Sequence, residues 1–145
     1  MDTVEGIKGA NEPVLLVLTE RASNKEIIEL IGKTQDAVEN ALNRLEREFE
    51  AKSFRETFKS ITSDNGSEFL NFSSVEKSTI NKTLPRTSLF YADAYCSWQR
   101  GANENANRFI RRFLPKGTSF KHLTRQSVKL IEKWMNDLLN SLKNG

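Results

Sequence analysis

The sequence predicts an α/β fold in which a mixed five-stranded sheet carries helices on both faces. Three observations predict it. Residues 1–31 hold three strand-like segments with no helix between them. Two later strand-like segments are each reached through a helical pattern. Between them in character lies Pro13 to Thr19 (PVLLVLT), apolar on both faces as a strand covered from both sides must be.

Taken in order, Asp2 to Ile7 is a short, mixed strand. Lys8-Gly9-Ala10-Asn11 supplies the turn into the apolar strand. Lys25 to Ile31 (KEIIELI) is brief and carries paired isoleucines, which favours a strand over a helix. A helix starts at Thr34, a good N-cap, with Asp36 in its first turn. Val38, Ala41, Leu42, Leu45 and Phe49 form its apolar stripe, and Glu39, Glu46, Arg47 and Glu50 sit mainly off it. Phe58 to Ser63 alternates as a strand does and runs into Asp64-Asn65-Gly66. Residues 68–82 are expected to hold a short helix and loop, and Ser88 to Tyr91 the last strand. A helix from Asn103 to Leu114 is stopped by Pro115-Lys116-Gly117. The final helix runs from Thr124 to Leu142, with Val128, Ile131, Trp134, Met135, Leu138 and Leu142 on its buried side. The three leading strands are readily joined as an antiparallel meander, and the later ones can return through helices to add in parallel.

The length of 145 residues suits one domain, residues 1–145, with a single hydrophobic core. Apolar residues make up 37% and charged residues 28%, a globular balance rather than a disordered or fibrous one. The longest apolar run, Val14 to Leu18, is far below the roughly 20 residues of a membrane span. No basic segment followed by an apolar one opens the chain, so no secretory leader is expected. With Cys96 the only cysteine, no internal disulfide can form. The net charge is +3, but the basic residues are unevenly spread. Arg100, Arg108, Arg111, Arg112, Lys116 and Lys121 fall in one stretch whose single acid is Glu104. Such a local field suits a phosphate backbone, although a solvated helix face has the same composition.

Three acids stand out by context. Asp2 begins a strand, Asp64 ends one, and Glu104 lies in the first turn of a helix. In a mixed sheet the first and fourth strands can be neighbours, and a helix packed on that sheet can bring Glu104 to the two aspartates. Clustered carboxylates repel unless a cation neutralises them, and hard oxygen ligands select Mg²⁺ or Mn²⁺. Each acid also has a plain structural reading: a turn for Asp64, a chain end for Asp2, a helix-dipole partner for Glu104.

Longer strings add to this. Ile61-Thr-Ser-Asp-Asn-Gly-Ser-Glu-Phe69, Tyr95-Cys-Ser-Trp-Gln-Arg-Gly-Ala-Asn-Glu-Asn-Ala-Asn107, Arg111-Arg-Phe-Leu-Pro-Lys-Gly-Thr118, Asp2-Thr-Val-Glu-Gly6 and Leu18-Thr-Glu-Arg21 occur in one order along the chain. Together they closely resemble the catalytic core of bacterial DDE transposases of the insertion-sequence-thirty family, within the integrase-core superfamily. The resemblance implies a ribonuclease H-like fold. It implies Asp2, Asp64 and Glu104 as catalytic acids holding two Mg²⁺ or Mn²⁺ ions; Glu68 is the runner-up metal acid and reads as a helix-start or DNA-proximal residue. It implies hydrolysis at the 3′ end of a transposon, then attack of the freed 3′-hydroxyl on target DNA. Cys96 and His122 each stand alone, which fits a class with no covalent protein–DNA intermediate.

Arg108 and Arg111 share a helix face with Glu104, opposite Ala106, Phe109, Ile110 and Phe113. Arg100, Asn107, Arg108, Arg111 and Lys116 are therefore the candidate DNA contacts. Relative to the family, the chain is expected to be shortened at both ends, lacking the helix-turn-helix that reads transposon ends. Two other classes are open: a catalytically silent remnant that binds nucleic acid non-specifically, and a structure-specific or RNA-cleaving nuclease of the same fold. The expected partners are transposon-end and target DNA, with a homodimer left open and no membrane. The expected place is the bacterial cytoplasm, at the nucleoid.

Overall fold

The computed structural model describes residues 1–20, 25–63, 75–81, 83–91 and 101–144. Two compact units make up the chain, one from residues 1–32 and 97–145, the other from residues 33–96. The first unit opens with an antiparallel meander, β1 (Asp2–Val4), β2 (Val14–Thr19) and β3 (Glu26–Ile31). Val17 pairs with Asp2 on one side and Ile28 on the other, and Leu15 likewise with Val4 and Leu30. Val14 through Leu18 are all buried, as expected for a strand apolar on both faces.

Two helices complete this unit: α3 (Gly101–Phe113) and α4 (Arg125–Asn144). Val4, Leu15, Val17 and Ile28 from the sheet meet Ala106, Ile110 and Leu114 at α3 and Val128 and Met135 on α4. Phe120, fully buried between the helices in sequence, joins the same cluster. Burying a side chain of this size is worth about 1.5–3 kcal/mol, so the cluster is what fixes α3 and α4 on the meander. Pro115-Lys116-Gly117 ends α3 as expected: Gly117 adopts φ +87°, and the Thr118 N–H donates to Pro115 O at 3.1 Å. Thr124 starts α4, its Oγ1 accepting from the Ser127 N–H at 3.1 Å. Trp134 does not lie in the core as the helical spacing suggested. It is 38% exposed and packs edge-on against Phe113, with ring centroids 4.5 Å apart.

Among the described residues, the outer edge of β3 is met by side chains of α4. Asn136 accepts from the Glu26 N–H at 2.7 Å and donates to Glu26 O at 3.0 Å. Glu132 accepts from the Ile28 N–H at 2.7 Å, and Lys129 Nζ donates to Ile28 O at 3.2 Å. One face of α4 thus satisfies the groups that would otherwise template pairing with another chain.

The second unit holds α1 (Gln35–Phe49), α2 (Ala51–Thr57), β4 (Ser60–Ser63) and β5 (Ser88–Tyr91). Thr34 caps α1 as predicted, Oγ1 accepting from the Ala37 N–H at 3.1 Å. Glu50, at φ +66°, breaks the chain out of α1 and directly into α2, a helix the sequence reading did not contain. It takes Phe58 as its C-cap, so β4 starts two residues later than expected. Phe54 and Phe58 are buried, with centroids 4.9 Å apart, and Phe49 packs edge-on against both. β4 and β5 pair in parallel, Ser60 opposite Ser88 and Ser63 opposite Tyr91. Most of the short helix and loop expected over residues 68–82 lies outside the described residues, which resume with a helical turn at Val75 and Glu76.

Glu46 corrects another expectation. It sits off the main apolar stripe yet is fully buried, facing the equally buried Arg86. Arg86 Nη1 lies 3.4 Å from Glu46 Oε1 and donates to Asn43 Oδ1 at 2.6 Å, while Nε donates to Val75 O at 2.7 Å. Glu46 also accepts from the Ser78 hydroxyl and, at 2.8 Å, from the Thr79 N–H. Burial pulls the Arg86 guanidinium below its usual value, and the Glu46 carboxylate opposes that pull. An ion pair this dry is tolerable only because its remaining donors and acceptors are met.

The chain is therefore a mixed α/β protein, with antiparallel pairing among β1–β3 and parallel pairing between β4 and β5.

Candidate nucleic-acid interface

In the first unit an open groove of about 380 Å³ runs between β1 and α3. Thr3, Val4 and Glu5 form one wall. Asn107, Arg108, Arg111 and Lys116 form the other. Four of the five residues singled out as DNA contacts thus line one depression. The fifth, Arg100, lies outside the described residues.

Helical spacing puts Arg108 and Arg111, three apart, on one flank of α3, and Asn107, four before Arg111, beside the latter. The opposite face, Ala106 and Ile110, is buried in the core, which turns the basic face outward. Arg108 is exposed and Arg111 half-buried. Arg111 is also a structural tie, Nη2 donating to Glu5 O at 2.9 Å and Nη1 to Leu114 O at 3.3 Å. Its guanidinium is thereby fixed at the groove wall rather than left to swing. Arg112 points elsewhere, its guanidinium 5.0 Å over the Phe109 ring. Among the described residues lining it, three cations, Arg108, Arg111 and Lys116, stand against one acid, Glu5, whose Oε2 accepts from the Gly9 N–H at 3.4 Å. The groove is net positive and open to a chain of phosphates.

The floor is held by close backbone contacts. Gly6 lies so near the segment leaving α3 that a Cβ there would meet Thr118 O at 2.2 Å. The Gly117 N–H donates to Gly6 O at 3.3 Å. Glu12, half-buried, accepts from the Ile7 N–H at 3.2 Å and the Phe120 N–H at 3.1 Å through Oε1, and from the Ser119 hydroxyl at 2.6 Å through Oε2. The Ser119 hydroxyl first, then the Phe120 N–H, hold its carboxyl below the usual carboxylate value.

The proposed catalytic acids adjoin this groove along the chain. Asp2 stands in β1 immediately before Thr3, and Glu104 stands in α3 one turn before Asn107 and Arg108. Their side chains lie outside what is described, as do Asp64, which follows the last residue of β4, and Glu68. Among the described residues no three of His, Cys, Asp or Glu gather as metal ligands. Among them too, no helix is long and apolar enough to cross a membrane.

Comparison with known proteins gives the groove a context. The chain is 33% identical over 138 residues to a probable transposase for the insertion-like sequence element IS1161 of Streptococcus salivarius, covering 94% of this chain and 36% of that protein. It is 31% identical over 137 residues to the transposase InsI for the insertion sequence element IS30A of Escherichia coli K12, covering 94% of this chain and 32% of that one. A third relative, the transposase for the insertion sequence element IS4351 of Bacteroides fragilis, is 38% identical over 77 residues, covering 53% of this chain and 22% of that protein. The chain is a homologue of insertion-sequence transposases of the IS30 family. It spans about a third of the length of the curated relatives it matches. No family model and no solved structure matches it.

Sequence reasoning missed Glu12, Glu46 and Arg86 in this IS30 homologue. Glu12 meets its partners across 107 and 108 residues, so no local pattern announces the contact. Arg86 and Glu46 lie 40 residues apart. The available hint was that Glu46 sits one position from Leu45, at the margin of the apolar stripe.

Proposed function

We propose that the chain is the catalytic core of a DDE transposase, a divalent-metal-dependent polynucleotidyl transferase acting in DNA integration. The observation that carries this is the basic groove between β1 and α3, the two elements that bear Asp2 and Glu104, in a chain homologous to transposases. In this reading residues 1–145 form one core, and the five strands join in a ribonuclease H-like mixed sheet. Asp2, Asp64 and Glu104 are three carboxylates, the hard oxygen donors that suit Mg²⁺ or Mn²⁺, and they would hold two such ions. When bound, the ions activate the attacking oxygen and stabilise the leaving one.

The chain's own residues do the rest. Arg108 and Lys116 grip backbone phosphates of the substrate strand. Arg111, tied to Glu5 and Leu114, offers a fixed charge at the same wall. Asn107 contributes a neutral amide beside them, and Arg100 extends the basic track toward Glu104 in the chain. The DNA is thereby registered so that the scissile phosphodiester faces the carboxylates. Water attacks its phosphorus, breaking the bond to the 3′-oxygen to give a free 3′-hydroxyl and leaving a 5′-phosphate on the flanking strand. That hydroxyl then attacks a phosphodiester of target DNA, expelling the target's 3′-oxygen as a hydroxyl and joining the strands. The partners are transposon-end and target DNA, and the place of action is the bacterial cytoplasm at the nucleoid.

A nicking assay on element-end DNA tests the reading. Strand cleavage is expected with Mn²⁺ and none with EDTA, and Asp2→Asn, Asp64→Asn and Glu104→Gln are each expected to abolish it. Cleavage that survives all three substitutions refutes the assignment. A wild-type chain that binds DNA and never cuts it, with either ion, is the silent remnant instead.

A further inference from the structure

We propose that Glu12 is a positioning residue for DNA: it latches the segment after α3 onto the loop after β1 and so fixes Lys116 in the groove. The inference rests on the groove reading above and names the residue that holds the loop wall of the groove in place.

Lys116 sits on the connection between α3 and α4, one residue before Gly117, whose φ of +87° turns the chain. A lysine on such an exposed loop has no helix or strand to hold its backbone. What holds this one is the neighbouring stretch, Gly117 to Phe120. Gly117 bonds to Gly6, Thr118 O packs where a Cβ on Gly6 would lie, and Ser119 and Phe120 both donate to the Glu12 carboxylate. Glu12 also takes the Ile7 N–H, so one carboxylate ties together both segments of the floor. Bonds to an ionised acceptor are roughly twice as strong as neutral ones. The Ser119 hydroxyl and then the Phe120 N–H lower the carboxyl value, so these bonds favour the ionised form. Immobilising a lysine beforehand spares the ordering that binding would otherwise demand.

The direction of the expected effect separates this role from simple electrostatics. Glu12 is an acid near a basic groove, so its removal by charge alone should strengthen DNA binding. Its removal as a latch should weaken binding, because Lys116 loses its fixed place.

The test measures binding of a random-sequence duplex to the full chain by fluorescence anisotropy across a salt series. It compares wild type, Glu12→Ala, Glu12→Gln, Lys116→Ala and the double variant Glu12→Ala/Lys116→Ala. Lys116→Ala is expected to reduce the slope of log K against log salt by about 0.9, the loss of one phosphate contact. Glu12→Ala is expected to weaken binding by about threefold to tenfold at moderate salt and to reduce the slope by a similar amount. Glu12→Gln, which keeps an oxygen for the two N–H groups, should restore most of it. In the Lys116→Ala background, Glu12→Ala should change nothing further. Should Glu12→Ala fail to fold, Ser119→Ala, which removes one bond and no charge, carries the same comparison with and without Lys116→Ala. Tighter or unchanged binding by the latch variants, or a loss that adds to that of Lys116→Ala, overturns the proposal while the groove stands. No effect of Lys116→Ala itself overturns the groove and the latch together.

Discussion

Glu26 offers a quantitative test of the first unit. It opens β3, is only 3% exposed, and its Oε2 accepts from the Thr19 hydroxyl at 2.8 Å. Burial pushes its carboxyl from 4.5 up to about 7; the nearby Glu132 carboxylate pushes the same way, and the Thr19 bond opposes both. The unfolded chain therefore releases this proton near pH 4.5, whereas the folded chain holds it until about pH 7. The stabilising contribution of the protonated form is complete below the unfolded value, declines between the two, and is gone above the folded value. At about 1.4 kcal/mol per pH unit, that interval corresponds to at most about 3–4 kcal/mol lost between pH 4.5 and pH 8. Glu26→Gln keeps an acceptor for Thr19 and removes the charge. Urea unfolding at a series of pH values should show the variant near wild type at pH 4.5 and more stable by about 1–3 kcal/mol at pH 8. A Gln variant that is less stable by the same amount at every pH would refute the reasoning, since Glu26 would then act as an ionised partner throughout.

Three further outcomes are expected. Arg86→Met strips Glu46 of its buried cation and should destabilise the chain by about 3–5 kcal/mol in urea unfolding. Arg108→Ala should lower affinity equally for element-end and random DNA, with the salt slope reduced by about 0.9; a selective loss on one sequence would mean that Arg108 reads bases. Asp64→Asn should raise apo stability by about 1 kcal/mol by relieving carboxylate repulsion. It should also erase the gain of about 2.7 kcal/mol expected for wild type in Mn²⁺ at 100 times its dissociation constant, both read from thermal melts.

How far the sequence reached depended on the range of the interactions. Ser88–Tyr91 as a strand, the Thr34 cap and the stop at Pro115 to Gly117 were all legible, because each is decided within a few residues. The unbroken apolar character of Val14 to Leu18 was enough to predict burial on both faces. α2 was missed because its packing rests on Phe54 meeting Phe49 and Phe58 across a break at Glu50 that no helix-stop residue marks. Trp134 counted as core by its spacing, yet the position three residues after Ile131 falls at the rim, where Phe113 shields only one side of the ring. For the candidate site, periodicity on α3 grouped Arg108 and Arg111, and Asn107 and Lys116 were singled out with them; the structure brings these four to one groove and adds the β1 wall. Glu12 was invisible in sequence, since its bonds reach across the whole of the intervening chain.

The central claim is that Asp2, Asp64 and Glu104 share one two-metal site. A crystal structure of the chain grown with Mn²⁺, read by anomalous scattering, addresses it most directly. Two manganese peaks about 4 Å apart, bridged by these three carboxylates at the β1 end of the groove, are the predicted result. Ordered carboxylates separated by more than about 12 Å, or manganese bound elsewhere, would contradict it.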